Sequence, residues 1–244
     1  MIRIFLDGQP CGGASITLTG EKAHYLSAVL RCKAGDTIII TDSTGSVHKA
    51  RLTSLTRKQA TLAIDESCAP IPEPPLDIIV LQGLLKGERM DLVIQKATEL
   101  GVRQIIPVIT ERSQLRETRK TERWKKIAEE ASRQCGRASI PLIEEPLNFM
   151  MALPGGAGTD VFGILFWEQE GSSLSSVLNL FSEKKQIMLC IGPEGGFSEK
   201  EARTALDRGF AITSLGRRIL RAETAAIAAL AIVQYELGDL GIAS

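Results

Sequence analysis

Two short apolar runs near the C-terminus, residues 187–191 and 211–215, each stop at a glycine loop that leads into a helix-forming stretch. Runs of this length suit buried strands. The first ends in Gly192-Pro193-Glu194-Gly195-Gly196, where missing Cβ atoms let the backbone bend and come close to a ligand. Ser198 and Glu201 then have the spacing of a capping box, and Gly209 stands where that helix should close. The second run ends at Gly216, followed by Arg217-Arg218-Ile219-Leu220-Arg221-Ala222-Glu223-Thr224 and an alanine-rich helix. In a parallel sheet both loops gather at the carboxyl ends of the strands, where open α/β folds bind ligands. One glycine turn is an ordinary strand-to-helix connection. Two together, with three arginines and a carboxylate crowded into the second, point to a binding cleft.

From residue 76 onward strands and helices alternate. Residues 77–82, 103–110 and 160–166 read as strands. Residues 88–100 form a helix with Met90, Val93, Ile94, Ala97 and Leu100 as its apolar stripe. A charged helix over 118–133 turns Trp124, Ile127 and Ala131 inward, and 173–181 is helical. Such alternation predicts a mostly parallel sheet with helices on its faces. The stretch Ala69-Pro70-Ile71-Pro72-Glu73-Pro74-Pro75 is a semi-rigid linker. It divides the chain into residues 1–70, a linker at 71–75, and residues 76–244. The first part carries strand candidates at 37–41, 47–52 and 60–64, with Asp42-Ser43-Thr44-Gly45 as a turn. One amphipathic helix over 20–30, with Ala23, Leu26, Val29 and Leu30 on its stripe, completes a small barrel.

Composition narrows the chemistry. Apolar content of 44% and charge of 24% belong to a soluble globular protein. The net charge is zero, so any nucleic-acid surface has to come from local clustering. The five cysteines are scattered without a CxxC pair, which argues against a disulfide framework and a zinc site and suits a reducing cytoplasm. The N-terminus lacks the apolar core of a signal peptide, and the longest apolar run, 225–233, falls far short of the ~20 residues of a membrane span. A soluble, cytoplasmic protein is expected. There is no HExxH, no Cys/His ligand cluster and no GxxxxGK[ST] loop, so no metal is expected. A Ser-His-Asp triad would need His24 or His48, both outside the α/β region.

IGPEGGFSEKE, the later SLGRRILRAETA, and KGERMDLVIQKATELGV at 86–102 resemble the SPOUT-class RNA methyltransferases. The resemblance is to the ribosomal RNA small subunit methyltransferase E family, which methylates N3 of a uridine. HYLSAVLRCKAGDTI and the DSTG turn resemble the same family's N-terminal PUA-like RNA-binding domain, so the likeness spans essentially the whole chain. It implies a trefoil-knotted, mostly parallel sheet with helices on both faces, and S-adenosylmethionine held in a bent shape by the knot loops. Rules that treat knotted chains as exceptions would not lead there. By the resemblance, the donor pocket takes Leu165, Ile191, Gly192, Gly196, Leu215, Gly216 and Leu220, with Pro193 in the same loop. Small-subunit (16S) ribosomal RNA, free or assembled, is the implied partner. A homodimer through the α/β domain is implied too, and the apolar residues spread around the helix at 223–237 agree with it.

Methyl transfer needs a positioned nucleophile more than an elaborate catalytic set. A uracil N3 must first lose its proton, so a carboxylate to accept it and a cation to stabilise the ring are sought. Glu194 and Glu223 are the carboxylates in the right loops and Arg221 is the cation. Against this, Glu194 suits a structural loop role, and Glu223 suits a first-turn acid that offsets the helix dipole. Arg217 and Arg218 suit RNA phosphates, as do Arg3, Arg31, Lys33 and Lys49 in the first domain. The basic stretch from Arg112 to Arg137 is either a second RNA surface or a solvated helix face. Two other readings share this fold: a ribose 2′-O-methyltransferase, and a non-catalytic RNA-binding assembly factor.

Overall fold

A computed structural model describes the chain except residues 7, 9, 10, 12, 155–159, 170, 182–185 and 242–244. It divides into two compact units, residues 1–73 with 132–139, and residues 74–131 with 140–244.

The first unit is a five-stranded sheet built from β1 (Ile2–Phe5), β2 (Ser15–Thr19), β3 (Thr37–Thr41), β4 (Val47–Leu55) and β5 (Gln59–Cys68), in the order β1-β3-β4-β5-β2. β1 runs parallel to β3, and the remaining pairs are antiparallel. Ile38, Ile40, Ala50, Leu52, Ala60 and Leu62 alternate onto one buried face. The expected single helix is instead a short α1 (Gly20–His24) followed by a π turn, Tyr25–Val29. Ala23 and Leu26 are buried as expected, but Val29 is 61% exposed. The wider turn, closed by Leu30 N–H to Tyr25 O at 2.9 Å, carries Val29 off the stripe. Asp42 follows β3 and organises the hairpin: Oδ1 accepts from Thr44 N, Thr44 Oγ1 and Ser46 N. Burial acts to raise its pKa, but these donors and the Cys11 amide outweigh it and hold the carboxyl well below its usual range.

The second unit contains β6 (Asp77–Gly83), α2 (Arg89–Glu99), β7 (Gln104–Ile109), α3 (Thr121–Cys135), β8 (Leu142–Ile143), β9 (Leu147–Asn148), α4 (Phe149–Ala152), β10 (Val161–Phe166), β11 (Ser172–Ser173), α5 (Leu174–Leu178), β12 (Gln186–Ile191), α6 (Glu199–Asp207), β13 (Ala211–Ser214) and α7 (Ala222–Leu237). The last residues of α3 group with the first unit. The strands form one parallel sheet in the order β11-β13-β10-β12-β6-β7-β8, with β9 also on β7. Both faces are covered, which is why the strands read as continuous apolar runs. In β12, Ile187, Leu189 and Ile191 join the core beneath α2, α3, α5 and α7. Met188 and Cys190 join the opposite core beneath α4 and α6. Each aliphatic side chain buried this way contributes about 1.5–3 kcal/mol. Among the described residues, no helix is long and apolar enough to cross a membrane.

Candidate functional site

β12, β10 and β13 lie side by side, so the loops leaving their carboxyl ends are neighbours, and β6 flanks β12 on the other side. The loop after β12 is gripped from several directions. Gly83, the last residue of β6, passes so close that an added Cβ would lie 2.3 Å from the Pro193 nitrogen. An added Cβ at Gly192 would lie 3.1 Å from the Gly196 Cα, so these glycines close the loop on itself rather than merely leaving room for a ligand. Gly196 has φ +68°, where side chains are strained, and faces the Glu168 carboxylate of the β10 loop. Gln82 Nε2 donates to the carbonyls of Gly83, at 3.0 Å, and Gly192, at 3.4 Å. Arg112, after β7, donates to Gly195 O at 3.4 Å. The Ser198–Glu201 capping box forms as the spacing predicted, and Glu201 Oε1 also accepts from Glu111 N at 2.8 Å.

Glu194 points back toward the start of α2. Its Oε1 accepts from Lys86 N at 3.1 Å and from Arg89 Nη1 at 2.9 Å. The same Arg89 has Nε 4.0 Å from Oε1 of Glu223, in the first turn of α7. One guanidinium therefore links the two carboxylates singled out in the sequence. Each keeps its Oε2 buried with no hydrogen-bond partner, and Gln82 Oε1 and Trp167 Nε1 share that condition. A buried polar atom without a partner costs about 1–3 kcal/mol. Three of them, on Gln82, Glu194 and Glu223, lie at the ends of β6 and β12 and the start of α7 and mark a place built for something other than stability, whereas Trp167 packs on the opposite face of the sheet.

The other sequence-predicted residues separate into groups. Leu165 is wholly buried and Ile191 is 2% exposed; both are core side chains, so a ligand can meet only their backbone. Pro193 is buried against Gly83, and Leu215 and Leu220 are half-buried. Gly216 has φ +98° with open space around it. Arg217, Arg218 and Arg221 are exposed, and among the described residues no partner engages their guanidinium groups. Arg31 is exposed and is the one non-glycine residue at positive φ among those described, at 54°. Two expected RNA contacts are otherwise employed. Arg3 donates to Gly136 O, and Arg137, only 9% exposed, forks onto Glu73 through Nε and Nη2 at 3.0 and 2.7 Å. Both hold residues 132–139 within the first unit. Lys49 pairs with Glu66, whereas Lys33 and His24 are exposed.

Sequence reasoning missed Arg89, Gln82 and Glu168. Arg89 was inside a motif already singled out, KGERMD, but only the fold brings it to residues more than a hundred positions later. A cavity of about 650 Å³ beside Trp167, Ala202, Leu206 and Ile212 contains none of the expected donor positions. The convergence of polar atoms, not cavity size, picks out the loop cluster.

Known proteins match this arrangement. The RNA methyltransferase domain family covers residues 72–234, and the RNA methyltransferase PUA domain family covers 18–65. The Ribosomal RNA small subunit methyltransferase E of Synechocystis sp. is 37% identical over 220 residues, 89% of this chain and 72% of the relative. That of Bacillus subtilis is 30% identical over 231 residues, 91% of this chain and 90% of the relative. A crystal structure of the Neisseria gonorrhoeae enzyme of that name, bound to S-adenosyl methionine, aligns with a TM-score of 0.88 at 32% identity, over 98% of this chain and 99% of that one. The fold is thus the SPOUT-type α/β sheet with helices on both faces, preceded by a PUA domain. With both halves matched, and with the glycine loop and the arginine-rich loop on the two strands that flank β10, the chain belongs to the ribosomal RNA small subunit methyltransferase E family.

Proposed function

We propose that this chain transfers the methyl group of S-adenosylmethionine to N3 of a uridine in small-subunit ribosomal RNA. One observation carries the reading beyond family membership: Glu194 and Glu223 meet at Arg89 at the carboxyl end of the sheet, each with an oxygen that has no hydrogen-bond partner among the described residues. The residues fit the donor. The loops after β10, β12 and β13 offer backbone groups and apolar walls, with Gly192 and Gly196 in close backbone approach. The donor supplies a methyl group already activated by its sulfonium charge. Everything else falls to the protein: holding the uracil in line and taking its N3 proton.

The two carboxylates divide the work. Glu194 has one oxygen committed to the Lys86 amide and Arg89, so it ties the glycine loop to α2. Glu223 receives only the longer Arg89 contact, and its Oε2 is the proton acceptor. Arg221, two residues before it and exposed, stabilises the uracil anion, while Arg217 and Arg218 hold phosphates. The exposed Arg31 and Arg112 extend the RNA surface of their own units, whereas Arg3 and Arg137 serve the first unit's interior.

The position of β12 between β6 and β10 supports the trefoil knot implied by the resemblance. Exposed Ile232 and Tyr235 on α7, at 39% and 65%, support a homodimer through that helix. Nucleoside mass spectrometry of ribosomal RNA from cells lacking the protein tests the reading. A loss of 3-methyluridine from the small subunit, restored by the purified protein and S-adenosylmethionine, is the expected result. Loss of a 2′-O-methylated nucleoside instead would assign the ribose reaction. No change in either would leave the assembly-factor reading.

A further inference from the structure

The first unit contains a cluster that methyl transfer does not use. Cys11 Sγ, a carboxylate oxygen of Asp42 and a ring nitrogen of His48 all lie within 4.8 Å of one another. Among the described residues it is the one grouping of three or more such side chains close enough to hold a metal. Three parts of the chain supply it: the segment before β2, the turn after β3, and β4.

His48 provides the second observation. Its residue is 8% exposed, and Nε2 is fully buried without a hydrogen-bond partner. That nitrogen faces Asp42 Oδ2 at 3.5 Å, too far and too poorly aligned for a hydrogen bond. The other ring nitrogen, Nδ1, is 3.3 Å from the Ser67 hydroxyl on β5, which fixes the ring's orientation. Metal-binding imidazoles are held in this manner through their second nitrogen. Asp42 is likewise set from behind, with Oδ1 occupied by Thr44 and Ser46, so Oδ2 is turned toward Cys11 and His48.

We propose that Cys11, Asp42 and His48 bind a divalent zinc ion. Zinc bonds of about 2.0–2.3 Å in a tetrahedron put ligand atoms roughly 3.3–3.7 Å apart, so the 3.5 Å between His48 and Asp42 already has the spacing of two ligands on one ion. A thiolate and a carboxylate balance the charge of the ion, and the neutral imidazole is the third ligand, leaving the fourth position to water. The ligands at positions 11, 42 and 48 do not form a recognised zinc spacing, which is why the scattered cysteines argued against metal in the sequence. The ion ties the segment before β2 to the β3–β4 hairpin and takes no part in methyl transfer.

The test uses full-length, tag-free protein from zinc-supplemented medium, with metal measured by elemental mass spectrometry after dialysis. About one zinc per chain is expected, reduced to background in both Cys11→Ser and His48→Gln. Reconstitution of the wild type with cobalt should give a thiolate-to-cobalt charge-transfer band that Cys11→Ser abolishes. Ser67→Ala keeps all three ligands and should weaken zinc affinity about 10–100-fold, so the proposal stays testable even if a ligand variant folds poorly. Wild-type protein without stoichiometric zinc or a cobalt–thiolate band, or zinc retained by both ligand variants, would overturn it.

Discussion

The two loops that frame the site look alike in sequence and behave oppositely in the fold. The loop after β12 is closed in by Gly83, Glu168 and Arg112, and its one charged side chain is tied to Lys86 and Arg89. The loop after β13 stands open: Gly216 has open space where a side chain would stand, Ile219 is 87% exposed, and its arginines have no partners among the described residues. A small flexible donor is best met by a cradle that is already formed, because the protein itself then has little left to order on binding. An RNA chain is met by cations still free to exchange water for phosphate. On the proposed reading the closed loop grips the donor, while the open loop adds its backbone to that pocket and turns its arginines toward the RNA.

The severest way to break the contrast is to disturb the closed loop. Gly83→Val drives a side chain into the Pro193 backbone and should cost about 3 kcal/mol or more, seen as a lower Tm, with loss of S-adenosylmethionine binding by calorimetry. The same substitution at Gly216, at positive φ but in open space, should weaken donor binding less than Gly83→Val does. If both variants bind normally, the loops are not the donor site. Arg89→Met leaves Glu194 and Glu223 without their shared cation, and kcat should fall by about 10²-fold. An unchanged kcat would make Arg89 a surface ion pair and nothing more.

Smaller effects sharpen the division. Arg221→Ala should lower kcat and kcat/KM together, by about 10²-fold or somewhat less, with donor affinity intact, as for an interaction made only in the transition state. Glu223→Gln keeps the shape but removes the proton acceptor, so kcat should fall by about 10²-fold with donor affinity unchanged. The same change at Glu194 should lower kcat much less. Smallest are Arg217→Ala and Arg218→Ala, each expected to reduce the salt dependence of RNA binding by about one unit of slope while turnover on bound RNA persists. A turnover defect there would move catalysis into the open loop.

Much of this was legible in the residues. Ile187-Met188-Leu189-Cys190-Ile191 announces a strand buried on both sides, and Ser198 with Glu201 announces the helix after it. Local chemistry decides both, so local reading succeeds. β1 escaped notice because four residues with Arg3 among them carry no clear period, and its pairing with β3 lies more than thirty residues away. The π turn escaped because the Ala23 and Leu26 spacing is the same until the helix widens. Arg89 escaped for a different reason: a charged residue at a helix start is ordinary until the sheet sets Glu194 and Glu223 beside it. Conversely, Arg137 looked available in a basic stretch, and only the fold reveals its fork onto Glu73.

The placement of β12 also governs how the molecule can be made. β6 and β10 do not bond to each other; both bond to β12, with Ile78 and Gly163 opposite Ile187 and Met188 respectively. While a ribosome is still adding residues before 186, the first half of the sheet and β10 have no edge in common. Their joining strand arrives only in the last quarter of the chain. Pairing at such sequence separation is slow, because a long loop must close before any contact rewards it. The end of the sheet that carries the candidate site therefore cannot be completed until β12 has been made, and a polypeptide truncated before β12 lacks the strand that joins β6 to β10 as well as the loops that follow it.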